Sequence, residues 1–231
     1  MSKIDHSGHP LRVYGGETAT QRTARQRRQF LQAGLQVFGS EGYRHSTVKQ
    51  LCQVAGLTDR YFYRNFKDKE ALLAAVYTEA MDGITGTIGD AVQRTGIAKD
   101  PRAAIHAGLD AFFTAIEDQA VARVCWLEVL GVSADIDTLY NQRVKLFAQL
   151  LLVFAQSLKP DAPLSDSQPR IISLALVGAI SQTALHWLLD GYRTPKADLV
   201  AANSLLINGA MEGFGLIENH TAPFPGTDLS N

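Results

Sequence analysis

The side chains best suited to bind a polar partner are concentrated in one short stretch, residues 58–65. The stretch contains Arg60, Tyr61, Tyr63 and Arg64. Guanidinium groups pair with guanine edges or phosphates, and tyrosine hydroxyls can donate hydrogen bonds to phosphate oxygens. Only Phe62 and Phe66, four residues apart, can anchor a helix here to a core. Because so short a helix is unstable alone, its cationic and aromatic faces indicate a surface that meets a partner such as DNA.

Two short helices joined by a tight turn position this stretch. The apolar face of the first helix is formed, at i, i+3, i+4 and i+7, by Val48, Leu51, Cys52 and Ala55. Ser46 or Thr47 can cap its start, and Gly56 can end it in the left-handed conformation. Thr58 is placed to cap the second helix, which we expect over Asp59–Asn65. This order predicts a helix-turn-helix, whose second helix enters the DNA major groove.

The wider segment also resembles a known family. The DNA-binding signature of the tetracycline-repressor (TetR) family of transcriptional regulators is similar to residues 47–73, T-V-K-Q-L-C-Q-V-A-G-L-T-D-R-Y-F-Y-R-N-F-K-D-K-E-A-L-L. The matching features are A-G at the turn, F-Y before the final aromatic, and F-K-D-K-E-A-L-L opening the next helix. The resemblance implies an all-α protein, with a three-helix DNA-binding domain followed by a helical bundle that binds a ligand and dimerises.

The N-terminal end of the second helix is the part that reaches base edges. Here Arg60 stands where the family often has Gly, and Asp59 where it often has a basic or small residue, so no operator sequence is inherited. The resemblance implies that Tyr63 and Lys69 contact the DNA backbone. Thr47, at a helix N-terminus, can also face a phosphate. The predicted DNA-binding residues are Thr47, Thr58, Asp59, Arg60, Tyr61, Tyr63, Arg64 and Lys69.

The charge distribution divides the chain in two. The net charge is −1, but residues 1–70 hold 12 Lys and Arg against 6 Asp and Glu, and residues 71–231 hold 10 against 17. A basic first third beside an acidic remainder predicts an anionic polymer bound at one end. The first helix opens with Arg22, Arg25, Arg27 and Arg28. These arginines fit either a solvated helix face or contacts to phosphates.

The composition argues against several other classes of protein. A hydrophobic content of 46% is typical of a globular protein. We find no apolar run long enough to span a membrane and no secretory signal, and we expect a cytoplasmic protein. Cys52 and Cys125 are far apart on predicted apolar faces, which favours core thiols over a disulfide or a metal site. No phosphate-binding loop or catalytic motif is present, so we expect neither an enzyme nor a cofactor.

Four segments follow from these patterns. We expect a disordered arm over residues 1–19, the DNA-binding domain over 20–68, a helical ligand-binding and dimerisation domain over 69–217, and a flexible tail over 218–231. The helix capped by Asp68 should run to about Thr87. The last two helices, expected over 170–189 and 198–217, are apolar on most sides and contain small residues. They can pack against the same pair of a second subunit, as the family typically does, or cover the monomer's own core.

The resemblance also implies an effector site inside the C-terminal bundle. Its predicted lining residues are Phe112, Phe113, Ile116, Trp126, Tyr140, Phe147 and Val177, with Gln182 and His186 as polar contacts. Aromatic walls with few charges predict a largely apolar or aromatic ligand. Each of these residues can equally be an ordinary core residue, as can Glu128.

We therefore predict a homodimeric repressor that binds a palindromic operator and is released by a small ligand. Two alternatives stay open at this point. One is a helical module that binds a ligand or a partner without binding an operator. The other is a helical enzyme, which would need a convergent set of titratable residues that the sequence does not show.

Overall fold

The computed structural model describes residues 18–162 and 166–218, and all regular structure in these ranges is helical. The helices are α1 (Ala19–Glu41), α2 (Val48–Ala55), α3 (Asp59–Asn65), α4 (Lys69–Thr95), α5 (Pro101–Ala115), α6 (Gln119–Arg123), α7 (Ala134–Leu158), α8 (Ser167–Leu189) and α9 (Lys196–Gly213). A π-helical turn, Val124–Glu128, continues directly from α6. The predicted all-α class is confirmed. The predicted arm and tail lie outside the described residues, apart from Thr18, Ala19 and Glu218.

An aromatic cluster joins α1 to α3. The buried rings of Phe30 and Phe62 meet edge to face with centroids 5.4 Å apart, and Phe66 packs on Phe30 at 6.2 Å. Pairs in this geometry stabilise a core beyond the area that they bury. The seven-residue α3 is therefore held by Phe62 from within and by Phe66 just after its end. The predicted bounds of α2 and α3 agree with the structure.

The turn into α2 and the turn out of it are both fixed by local chemistry. The Thr47 hydroxyl accepts a hydrogen bond from the Gln50 backbone N–H at 3.2 Å, and the Gln50 side chain accepts one from the Thr47 N–H at 2.9 Å. This reciprocal pair is a capping box. At the other end Gly56 has φ +64°, the left-handed conformation that glycine adopts at least cost.

Helix α4 is longer than the sequence predicts. It begins after Asp68, whose carboxylate accepts a hydrogen bond from the Ala71 N–H at 2.7 Å, and it continues to Thr95 rather than ending near Thr87. Each glycine inside a helix costs about 1 kcal/mol relative to alanine, and the sequence has three between residues 83 and 89. Packing against α5 offsets this cost, since a Cβ on Gly108 of α5 would lie only 3.0 Å from Val92.

Helix α5 lies between α4 and α9, and α7 pairs with α8. The DNA-binding end joins this bundle through α1, which packs on both α4 and α6. The contact with α6 is close: a Cβ on Gly39 would lie 2.5 Å from the Cβ of Ala120. Helix α1, against which α2 and α3 pack, therefore rests directly on the helix that leads into the π-helical turn.

Helix α8 is strongly apolar, yet much of it is exposed in this single chain. Within the two described ranges, α8 is long and apolar enough to cross a membrane by length and composition, with a mean hydropathy of 1.6 over its most apolar window, of which 28% is buried. This corrects the expectation that no such segment exists. Ser, Thr, Gln and His interrupt the apolar run of α8 without adding charge, so its mean hydropathy stays high. Helix α9 also exposes large apolar side chains, Leu205 and Leu206.

Candidate DNA-binding surface and ligand cavity

The exposed side of α3 forms the recognition surface. Its long side chains, Arg60, Tyr61, Tyr63 and Arg64, line one shallow concavity. The Thr58 side chain makes no capping hydrogen bond, although Thr58 occupies the N-cap position. The Asp59 carboxylate accepts a hydrogen bond from the Arg60 N–H at 2.8 Å. Cationic and aromatic groups are thus presented together at the start and along one side of α3.

Lys69 and Thr47 are engaged with the protein itself. The Lys69 ammonium donates to the carbonyls of Tyr43 at 2.6 Å and Ser46 at 2.7 Å, and it lies 4.3 Å from the centroid of the Tyr43 ring. Burial lowers the pKa of Lys69. One of its three N–H groups is left for a phosphate. The Thr47 hydroxyl is used in the α2 cap, so direct DNA contact by either residue stays a prediction.

Arg27 of α1 stabilises the end of α3. Its guanidinium stacks over the Phe66 ring at 4.6 Å, and its Nη1 lies 3.5 Å from the Asn65 carbonyl oxygen. Cation–π stacking of this kind is worth about 0.5–1 kcal/mol at an exposed site. For Arg27, therefore, the structure adds a third role to the solvated face and the phosphate contact, which is to hold α3 on α1.

A cavity of about 450 Å³ lies in the bundle between α4, α5, α7 and the π-helical turn, and it is completed by α8 and α9. Along α4 its lining extends from Tyr77 to Gln93, a distance of about 24 Å at 1.5 Å per residue. Five predicted residues line it, namely Phe112, Trp126, Tyr140, Phe147 and Val177. The space is therefore long and mainly apolar, and a role in ligand binding for these residues stays a prediction.

The other four predicted residues lie elsewhere. The ring of Phe113 packs edge to face on Trp187 at 5.8 Å, and Ile116 is buried in the core. Gln182 and His186 are exposed on the outer side of α8. None of these four residues lines the cavity, and a role for them in ligand binding stays a prediction. Because α8 is apolar on most sides, its sequence does not indicate which face points inward.

Most of the lining residues were not predicted from the sequence, and two sets of them bear on the ligand. The first is a stripe on α4 with helical spacing, Tyr77, Met81, Thr85, Ile88 and Val92. Its spacing of three or four residues is a signal that could have found it. The second is Arg143 of α7, whose Nη1 lies 2.6 Å from Asp82 Oδ1. No sequence pattern distinguishes Arg143 from a surface arginine.

Two phenols and a thiol in the cavity wall are neutral. Burial raises the pKa of Tyr77, Cys125 and Tyr140, all of which line the cavity. A thiol kept protonated by burial is a poor nucleophile and metal ligand. Across residues 18–162 and 166–218 there is no group of three or more His, Cys, Asp or Glu that could hold a metal. The site is suited to binding an apolar body rather than to catalysis.

The π-helical turn connects the cavity to the helix-turn-helix. Trp126 in this turn lines the cavity, and Glu128 at its end accepts a hydrogen bond from the Tyr43 backbone N–H at 2.7 Å. The other carboxylate oxygen of Glu128 pairs with Arg123 at 3.1 Å. Tyr43 lies in the turn between α1 and α2, next to Gly42, whose φ is +87°. The π-helical turn thus contacts both the cavity and the α1–α2 turn, to which the Lys69 ammonium also donates hydrogen bonds.

Comparison with known proteins places this architecture among bacterial regulators. The family of bacterial regulatory proteins called tetR matches residues 30–76, which run from the second half of α1 to the first part of α4. A fatty acid metabolism regulator protein of Bacillus subtilis (strain 168) is 24% identical over 181 residues, covering 77% of this chain and 90% of that protein.

Solved structures of two such regulators have the same fold. The fatty acid degradation regulator FadR from Bacillus halodurans has a TM-score of 0.69 at 19% identity, over 80% of this chain and 95% of that one. The transcriptional regulator FadR from Bacillus subtilis, solved in complex with stearoyl-CoA, has a TM-score of 0.68 at 19% identity, over 78% and 96%. At this identity the likeness concerns the fold.

Proposed function

Because the chain belongs to the tetR family of bacterial regulatory proteins, we propose that it is a repressor which binds a palindromic operator as a dimer and leaves it when a long-chain acyl compound fills its cavity. The chain is a DNA-binding transcriptional regulator and not an enzyme. The acyl ligand is suggested by the elongated apolar cavity, about 24 Å along α4. The Bacillus subtilis FadR that shares this fold was solved with stearoyl-CoA, whose acyl chain is long and apolar.

The DNA-binding part of the proposal comprises residues 20–68 together with Lys69, the first residue of α4. Helix α3 enters the major groove, where Thr58, Asp59, Arg60 and Tyr61 reach base edges. Phosphates are contacted by Tyr63, Arg64, Lys69 and the α2 N-terminus at Thr47. The excess of basic residues in this part of the chain supports the assignment.

The dimerisation part of the proposal lies within residues 69–217, on the exposed faces of α8 and α9. Leu174 and Leu205 are large, apolar and exposed in the single chain. A Cβ added at Gly178 or Gly209 would meet no atom within 4 Å, so a partner helix can approach closely there. Packing α8 and α9 on the same pair of a second copy gives a four-helix bundle. Such an interface accounts for the hydropathy of α8 in a cytoplasmic protein without a membrane.

A gel-shift assay on DNA from upstream of the protein's own gene tests this function. We expect the protein to slow the migration of this DNA, and palmitoyl-CoA or palmitate to release the DNA from the complex. Binding of the same compounds is followed by quenching of Trp126, with Trp187→Phe removing the second indole. A compound that binds free and DNA-bound protein equally would not be an inducer, since equal affinity shifts no equilibrium. Failure to retain any fragment would favour the alternative of a ligand-binding module without an operator.

A further inference from the structure

Arg143 places a positive charge in the otherwise mainly apolar wall of the cavity. We propose that Arg143 and Asp82 form a head-group site, at which the Arg143 guanidinium binds the anionic head group of a long-chain acyl ligand in place of the Asp82 carboxylate. This inference rests on the proposed function in one respect, namely that an acyl compound enters the cavity.

The first observation is the isolation of the charge. Among the described residues that line the cavity, Arg143 alone carries a formal charge. Arginine stays protonated at any ordinary pH, so the cation at this apolar wall needs an acidic partner. A ligand that brings its own anion can supply that partner.

The second observation is the unequal exposure of the ion pair. The Arg143 side chain is 16% exposed, whereas the Asp82 side chain is 60% exposed, and Arg143 Nη1 lies 2.6 Å from Asp82 Oδ1. A carboxylate this exposed loses little when it turns to water, because exposed ion pairs contribute little to stability. The guanidinium, in contrast, is held at the cavity. Exchange of Asp82 for a ligand anion therefore leaves no buried charge without a partner.

The third observation is the set of neighbours. Two phenols, Tyr77 and Tyr140, line the same cavity. Burial raises the pKa of Tyr77, and the positive charge of Arg143 opposes that rise, so Arg143 lies within electrostatic reach of this phenol. Neutral phenols donate hydrogen bonds to carbonyl or carboxylate oxygens. A cation beside two such donors suits an oxygen-rich anionic head.

The remaining length of the cavity holds the apolar chain. From Asp82 to Gln93 helix α4 rises about 16 Å. Along this length the wall is mostly apolar, with Ile88 and Val92 from α4 and Leu109 from α5 facing Leu151 and Phe154 from α7. The ligand class is therefore an amphiphile with a long hydrocarbon chain and one anionic end. The anion is either the carboxylate of a free fatty acid or a phosphate of an acyl-CoA.

Three variants and three probes test the site. Arg143→Met keeps the long apolar stem and removes the charge, and Asp82→Asn removes the competing anion. Lys145→Met is the matched control, since Lys145 lies two residues along the same helix, is exposed and carries the same charge. The probes are palmitate, palmitoyl-CoA and hexadecanol, which share the chain and differ in the head. Dissociation constants are measured by tryptophan fluorescence, because Trp126 lines the cavity.

We expect Arg143→Met to weaken binding of palmitate, palmitoyl-CoA or both by about ten- to a hundredfold. The affinity for hexadecanol should change by less than about twofold. Asp82→Asn should strengthen binding of the same anionic probe, and Lys145→Met should change none. A loss confined to palmitate assigns a carboxylate to the site, and a loss confined to palmitoyl-CoA assigns a phosphate. Either outcome supports the proposal.

The proposal is overturned if Arg143→Met leaves the affinity for both anionic probes unchanged. It is also overturned if Arg143→Met and Asp82→Asn weaken all three probes alike, which would make the ion pair a structural link between α4 and α7. Failure of the parent protein to bind any of the three, hexadecanol included, overturns the acyl function itself and the head-group site with it. Hexadecanol binding thus separates failure of the head-group site from failure of the cavity.

Discussion

Arg60 is the side chain on α3 best placed to read a base. It is exposed at the second position of the helix, and it lines the concavity with Tyr61. A bidentate pair with guanine is worth about 1–3 kcal/mol against the wrong base. We expect Arg60→Ala to relax one base position per half-site when binding sites are selected from random DNA. Arg64→Ala, near the C-terminal end of α3, is the control and should weaken binding without changing the motif. Identical motifs from Arg60→Ala and the parent would remove Arg60 from base recognition.

Lys69 combines two roles that a pair of variants can separate. Lys69→Ala should weaken binding to all DNA sequences and lower the salt slope by roughly 1, if its free N–H contacts a phosphate. It should also lower the free energy of unfolding by about 1–3 kcal/mol, because two turn carbonyls lose a charged donor. Lys67→Ala is the control, since the Lys67 side chain is 76% exposed and its nearest described acid, Asp68, is 3.8 Å away. A salt slope unchanged by Lys69→Ala would leave only the structural role.

At this scale the sequence predicts best where one residue type has one local use. Thr47 and Gly56 could be assigned from the sequence because capping and left-handed turns depend on the nearest few residues. Arg143 could not, because its importance comes from a cavity formed by helices distant in sequence. For the same reason the sequence did not indicate that Gln182 and His186 lie on the outer side of α8, since the neighbours of α8 decide which of its sides faces inward.

At the scale of elements the short helices were predicted well and the long ones less well. The bounds of α2 and α3 follow from caps and turn residues that are local in sequence. Helix α4 continues through its glycines because of its contact with α5, which no local pattern contains. The π-helical turn after α6 was not predicted from the sequence. Such turns are often found at functional sites, and this one places Trp126 and Glu128 on two different surfaces.

The π-helical turn is the element through which we expect the cavity to act on the DNA-binding surface. A ligand that moves Trp126 would move Glu128 and with it the Tyr43 N–H that Glu128 binds. Glu128→Ala should therefore reduce the ratio of ligand affinities between free and operator-bound protein, since such coupling is reciprocal. Allosteric coupling usually changes an affinity by about 5- to 150-fold. We expect Glu128→Ala to lower the ratio of affinities by roughly fivefold or more. Titration of palmitoyl-CoA into free protein and into the operator complex measures it.

Glu212→Ala is the control for this coupling experiment. Glu212 pairs with Arg102 at 2.6 Å, and its side chain is 21% exposed against 13% for Glu128, but it lies on α9. The Glu212→Ala variant thus also loses a partly buried acid, but it keeps the contact between Glu128 and the α1–α2 turn. An equal fall in the ratio for both variants, or none for Glu128→Ala, would show that the signal travels by another route, such as α4.

At the scale of the whole molecule, three properties separate along the chain. The basic end carries the DNA-binding surface, the bundle encloses the cavity, and the last two helices expose an apolar face. The DNA-binding end is joined to the bundle by packing of α1 on α4 and α6 and by the Glu128 and Lys69 hydrogen bonds to the α1–α2 turn. A change in one part can therefore reach the next without unfolding it, as a ligand-controlled regulator requires.

The dimer is the whole-molecule property that operator binding depends on most. One recognition helix reads few base pairs, whereas two related by a twofold axis match half-sites about 34–36 Å apart. A variant with both Leu174→Glu and Leu205→Glu would place charges in the proposed interface, and loss of a well-packed apolar contact to unpaired charges costs several kcal/mol. We expect this variant to sediment as a monomer and to lose operator affinity by about a hundredfold or more. Its affinity for palmitoyl-CoA should stay close to that of the parent, since both leucines are exposed and lie outside the cavity lining.

Leu130→Glu is the control and should stay dimeric, since Leu130 is similarly exposed but lies in the turn before α7. A double variant that still sediments as a dimer would move the interface to another face of the bundle, and a monomer with undiminished operator affinity would show that one recognition helix suffices.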